Sequence, residues 1–253
     1  MRRSVGARRR SARALRLPLA LASVTCRPRS WGPFLEVYES TRFDHAFSVS
    51  FSQGGEDLAL LSLTAGRGAG TYLDIGAHHP SRFSVTRLLY ERGWSGVNVD
   101  ANPSLVNQFR KERPRDKFVS AFVGIGDGAR EFFVFDEPAL STGELASRDK
   151  YVKEGNRIKE RLQVPVISLT EIIARCFNDG VPDILNIDCE GSDREVLQSG
   201  DWERYRPPIV VVEAPGGVDG ATRSGPVSLL ASRGYKVLWV LPMSTVLVDD
   251  RRP

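Results

Sequence analysis

From Ser50 onward the chain repeats one pattern: a short apolar run, a turn rich in Gly, Asn or Pro, and a stretch of helical periodicity. Parallel strands need crossover helices and are then buried on both faces, so this alternation predicts a doubly wound, mostly parallel sheet. Residues 72–75, 96–100, 184–187 and 209–212 read as strands, with 118–123 and 131–135 as two more candidates. Helices are expected from Ser52 through Leu63, over residues 84–92, and through Leu105–Phe109, Leu169–Cys176, Glu195–Leu197 and Val227–Ser232. Residues 235–241 and 245–248, joined by Pro242-Met243-Ser244, close the sheet with an antiparallel hairpin. Between about Ala139 and Gln163 the pattern dissolves into a charged stretch, read as a loop or helical insertion over one end of the sheet. Long connections of this kind tend to be functional, which makes it the candidate lid for a second substrate.

Composition limits the alternatives. With 41% apolar and 26% charged residues the chain as a whole is neither disordered nor collagen-like. No run reaches the roughly 18 to 20 apolar residues needed to cross a bilayer. Cys26, Cys176 and Cys189 are odd in number, far apart and never in a CxxC pair, which argues against a disulfide framework and a zinc knot. A reducing, cytoplasmic setting is the expectation. The net charge of +4 divides unevenly: residues 1–35 hold nine arginines and no acid, leaving the remainder with 26 basic and 31 acidic side chains. The basic character belongs to the first 35 residues, read as a disordered leader, with an export signal or a binding arm as the other readings. Residues 36–253 are expected to form one domain, and no nucleic-acid partner is expected for it.

In open parallel sheets ligands bind beyond the carboxyl ends of the strands, where the chain order reverses. Four strand ends carry polar groups that packing does not require: Asp74-Ile75-Gly76-Ala77-His78-His79-Pro80, Asp100-Ala101-Asn102-Pro103, Asp188-Cys189-Glu190-Gly191 and Glu213-Ala214-Pro215. Gly76 allows backbone to approach a ligand without a Cβ in the way. Asp100, 24 residues later, stands where a carboxylate accepts both hydroxyls of a ribose. The first turn departs from GxGxxG at Ala77 and His78, so a ligand without phosphates at that turn fits better than a dinucleotide. S-adenosylmethionine is such a ligand.

Together with Ser52-Gln53-Gly54-Gly55-Glu56-Asp57, Gly93-Trp94-Ser95-Gly96-Val97-Asn98-Val99-Asp100, Ile187-Asp188-Cys189-Glu190-Gly191 and Arg206-Pro207 through Glu213, these segments resemble the FkbM-type methyltransferases, in order, from about Ser50 to Pro215. The resemblance implies a class I, Rossmann-like S-adenosylmethionine-dependent fold with a seven-stranded sheet. It also implies O-methylation of a hydroxyl on a sugar, glycolipid or secondary metabolite. The cofactor residues expected are Asp74, Gly76, Ala77, Asp100 and Ala101 at the first two strand ends, with Gln53 and Glu56 either closing over the cofactor or serving as ordinary caps. Val85 stands where an asparagine is common in the family, and Ala101 where a proline is common.

Methyl transfer to a hydroxyl needs a base in hydrogen-bond reach of the acceptor. The candidates, in order, are Asp188, His79, His78 and Glu190. Each has a structural alternative: a histidine beside proline can simply hold a turn, and Glu190 can cap the helix it precedes. Asp188, Glu190 and Glu213 together offer oxygen ligands of the kind magnesium takes. Competing functions are a nicotinamide-dependent oxidoreductase, against which the missing GxGxxG and the terminal hairpin count, and a non-catalytic binding module on the same fold. The acceptor and the oligomeric state are not legible in the sequence.

Overall fold

The computed structural model describes residues 49–178 and 180–251; the basic leader and Cys26 lie outside the described residues. In chain order the strands are β1 (Thr71–Ile75), β2 (Ser95–Asp100), β3 (Lys117–Ser120), β4 (Phe122–Val123), β5 (Ala129–Phe135), β6 (Ile158–Ile167), β7 (Ile184–Ile187), β8 (Ile209–Glu213), β9 (Tyr235–Val240) and β10 (Ser244–Asp249). Helices are α1 (Glu56–Leu63), α2 (Arg87–Glu91), α3 (Val106–Glu112), α4 (Leu145–Lys153), α5 (Leu169–Cys176), α6 (Asp193–Gln198), α7 (Gly217–Arg223) and α8 (Gly225–Ser232).

Seven strands form one sheet in the order β3-β2-β1-β7-β8-β10-β9. The first five are parallel, and β10 runs antiparallel to both neighbours, giving the expected terminal hairpin. Chain order reverses between β1 and β7, so a crevice opens beyond their carboxyl ends. The two-residue period of the strands sorts the core into two layers. Leu73, Val97, Leu185 and Val210 face α5 and α6 with Trp202, while Tyr72, Ile184, Val211 and Val246 face Leu60 and Leu89.

The second face also carries a buried polar network. Asp74 accepts hydrogen bonds from Thr86 Oγ1 at 2.7 Å and Asn186 Nδ2 at 2.8 Å, tying β1 to β7 and to the start of α2. Arg113 donates to Thr86 Oγ1, Ser84 Oγ, Tyr72 Oη and Asp116, and Asp116 in turn accepts from the Gly96 amide and Asn98 Nδ2. Because Thr86 directs its hydroxyl to Asp74, it does not cap, and only Arg87–Glu91 of the expected 84–92 helix is helical. The first helix likewise begins at Glu56 after a left-handed Gly55, not at Ser52. Ser50, the Phe51 amide and Ser52 all donate to the Asp57 carboxylate instead.

The expected strand 118–123 is split: residues 117–120 join the main sheet, and Phe122–Val123 turn into a second sheet of order β4-β6-β5. The segment read as loop or helix is therefore part strand. After α4 the chain enters β6, which pairs antiparallel with β5 along its length.

Candidate active site

At the end of β1 the chain turns left-handed at Gly76, with φ 80°, and the Gly76 and Ala77 amides donate to the Val99 carbonyl at 2.9 and 3.1 Å. A β-carbon on Gly76 would fall on the carbonyl oxygen of Asp188. The bare glycine is thus demanded by the end of β7, where ligand approach was expected to be the reason, although Gly76 also lines the cleft described below. His78 follows in the left-handed region at φ 50°, which aims its amide at Asp100 Oδ2, 2.9 Å away. The Asn102 amide holds Asp100 Oδ1 at 2.8 Å. Burial pushes the Asp100 carboxyl up to about 6 against these two amide bonds. Each of its oxygens keeps a second lone pair, so a diol can still be accepted there.

Asp188 directly follows β7 with no hydrogen-bond partner for its carboxylate among the described residues, and burial, then the charges of Glu213, Asp193 and Glu190, hold its pKa well above the ordinary range. Two residues on, Glu190 sits at φ 50°, a conformation that costs a non-glycine residue energy and recurs where function holds it. Its carboxylate accepts a short hydrogen bond from Tyr151 Oη on α4, and its carbonyl accepts from Thr142 Oγ1 at 3.2 Å. Burial raises its pKa too. Glu213, at the end of β8, is raised to about 8 by burial and by Asp193 and Glu190.

The ends of β1, β2 and β7 border one cleft, and Glu213 at the end of β8 is not among its lining residues. Gln53, Gly76, His78, Asp100, Ala101, Asp188 and Glu190 line it together. Asp74, Ala77, Glu56 and His79 do not. Asp74 lies beneath Gly76 in the buried network, and Ala77 packs against Leu105 and Phe109. Glu56 ties α1 to β10, accepting from the Gly54 amide at 2.9 Å and Ser244 Oγ at 3.1 Å. His79 Nδ1 accepts from the Ser81 and Arg82 amides, both at 3.0 Å, the turn-holding role its neighbouring proline suggested. His78 is held neutral, its pKa lowered to about 4 by burial and by Arg82 and His79.

The cleft also contains residues that sequence reasoning passed over. Phe83 lines it from the turn after β1, at φ 60° and 37% exposed, with the Arg82 guanidinium over its ring. Ser192 lines it from the start of α6. No local pattern separates either from an ordinary turn or capping residue. Among the described residues no three His, Cys, Asp or Glu side chains come together as a metal site, so the arrangement does not fit the magnesium considered from Asp188, Glu190 and Glu213.

The charge balance of the lining is one-sided: Asp100, Asp188 and Glu190 contribute carboxylates, and neither lysine nor arginine lines the cleft among the described residues. His78 Nε2 and Ser192 Oγ are buried there without a hydrogen-bond partner, and buried polar atoms of this kind await a ligand or water. Val99, Leu105, Phe122 and Phe132 add apolar surface to the lining. A cationic nucleoside without phosphates fits this lining. A pyrophosphate would meet carboxylates and no counter-charge, which counts against the nicotinamide alternative.

A family model described as the methyltransferase FkbM domain matches residues 74–236. No curated protein matches. Among solved structures, the chain is similar to a TehB-like SAM-dependent methyltransferase from Corynebacterium glutamicum, with 11% identity over 86% of this chain and 94% of that one and a TM-score of 0.41. It is also similar to an O-methyltransferase from Bacillus cereus in complex with SAH, with 14% identity over 91% and 96% and a TM-score of 0.40. An RNA methyltransferase from Salinibacter ruber, also with S-adenosyl-L-homocysteine, matches at 14% identity over 78% and 92%, with a TM-score of 0.37.

Proposed function

We propose, from the premise that the chain belongs to the FkbM methyltransferase family, that it methylates a hydroxyl of a sugar, glycolipid or secondary metabolite. The chain is an S-adenosylmethionine-dependent methyltransferase with the class I, Rossmann-like sheet of that fold. The finer reading rests on one observation: Asp188, unpartnered and facing the same cleft as Asp100, is a carboxylate with no structural task.

The cofactor would be held by Asp100 at its ribose and by Gly76, His78 and Ala101 along the first two strand ends. When bound, it supplies an electrophilic methyl group on a sulfonium. Asp100 is pre-set for the ribose by two backbone amides, so little ordering remains to be done on binding. Asp188 accepts the proton of the acceptor hydroxyl; its raised pKa makes it a stronger base than an exposed carboxylate, once ionised. Glu190, engaged by Tyr151, and His78, held neutral, are less suited to that proton.

The test is transfer of a labelled methyl group from S-adenosylmethionine to hydroxylated acceptors by the full chain. Wild-type transfer, slowed by about 10²-fold or more in Asp188→Asn with cofactor binding retained, is the expected result. Equal transfer by the variant would remove Asp188 as the base, and transfer to amines alone would overturn O-methylation.

A further inference from the structure

Ser192 occupies the N-cap position of α6 yet makes no capping hydrogen bond. That is unusual for serine, whose hydroxyl at this position ordinarily accepts from an amide one turn on. Here the neighbouring Asp193 takes up local amides, accepting from Cys189 N at 3.1 Å. Ser192 is 1% exposed, its Oγ has no partner, and it lines the cleft in the same turn as Asp188 and Glu190. A buried hydroxyl left unpaired costs stability, so the fold keeps it at a loss unless something binds there.

The surroundings decide what that something is. The ionisable side chains facing this part of the cleft are Asp188, Cys189 and Glu190, with Asp193 and Glu213 acting on them from just behind. Lys150, the cation acting on Glu190 and Glu213, is exposed on α4 and does not line the cleft. A phosphate or carboxylate brought to Ser192 would therefore find no cation to pair with, beside carboxyl groups whose ionisation it would oppose further. A hydroxyl group finds acceptors in the carboxyl groups of Asp188 and Glu190.

Resting on the O-methylation reading above, we infer that the acceptor is an uncharged polyhydroxyl compound and that Ser192 determines specificity by hydrogen-bonding a hydroxyl beside the one methylated at Asp188. A site built around a hydrogen bond rejects analogues lacking that group, because the buried partner is then left unpaired. The lack of any lysine or arginine in the lining disfavours anionic acceptors in addition.

The experiment compares the full chain and Ser192→Ala on methyl glycosides of neutral hexoses and on the matching 6-phosphates and uronates, with cofactor affinity measured separately by calorimetry. Neutral glycosides should be preferred by about tenfold or more in kcat/KM. Ser192→Ala should raise the acceptor KM about fivefold to tenfold, more than it changes kcat, and leave S-adenosylmethionine affinity unchanged. Its thermal midpoint should hold or rise, since the hydroxyl has no partner to lose; a fall would mark a merely structural residue and overturn the inference. Equal use of phosphates or uronates, or a loss confined to cofactor affinity, would overturn it while leaving O-methylation standing. Cofactor binding without transfer to any hydroxyl in the panel would defeat the O-methylation reading and this inference together.

Discussion

The Asp188 carbonyl oxygen occupies the position a β-carbon on Gly76 would need, so the two strand ends that frame the cleft close on each other through backbone alone. Gly76→Ala must either part β1 from β7 or abandon φ 80°. We expect a loss of at least about 3 kcal/mol in denaturant unfolding and no measurable cofactor binding. Gly68→Ala, where nothing lies within 4 Å of the added carbon, should change stability by about 0.5 kcal/mol or less. Similar values for the two variants would refute this account of Gly76.

As the proposed base, Asp188 can act only when ionised, and its surroundings hold its pKa well above the ordinary range. The rate of methyl transfer should therefore climb as pH rises through that displaced pKa and then level off. In Asp188→Asn the rate should drop by about 10²- to 10⁴-fold and the residual activity should lose that rising limb. A limb that survives the substitution belongs to another group.

Glu213 titrates at about 8 in the folded chain against an ordinary value of 4.5. Between those values the native state binds more protons than the unfolded one, so stability falls as pH rises through the window. Asp100, raised to about 6, adds to the same slope at its lower end. The melting temperature should decline from about pH 5 to pH 8, and Glu213→Gln should flatten the decline and raise the midpoint at pH 8 by a few degrees. An unchanged slope would show that Glu213 does not carry it.

Arg113 and Asp116 form an ion pair at 2.8 Å with side-chain exposures of 0% and 1%. Removing one member leaves the other charged in the core, so Arg113→Met should cost about 3–5 kcal/mol, read by chemical denaturation. Thr86 and Tyr72 lose a donor in the same step, which should loosen Asp74 beneath the cleft. A cost under about 1 kcal/mol would mean the network relaxes around the gap.

What the sequence made legible was local. Gly76, Asp100 and Asp188 stand at the ends of apolar runs, and a strand end is marked by its own neighbours. β6 was harder. Ile158, Leu162, Val164 and Val166 keep a two-residue rhythm, but the register shifts opposite Val134 and Phe135, and Lys159, Glu160 and Arg161 fill the gap with charge. Tyr151 and Glu190 meet across 39 residues of chain, a contact that no window along the sequence contains. Ser192 was hidden for the opposite reason: its position announces a helix cap, and only the folded structure reveals that its hydroxyl makes no capping bond and has no partner.

The short parallel pairing of Phe122 with Val166 and Val123 with Ile167 puts the two ends of the segment between β4 and β6 side by side. Such a segment behaves as a cassette. It can lengthen, shorten or be exchanged without shifting the register of any strand that carries Gly76, Asp100 or Asp188. The chain thus joins a frame that carries the strand ends of the cleft to an appendage held against it by Tyr151 on Glu190.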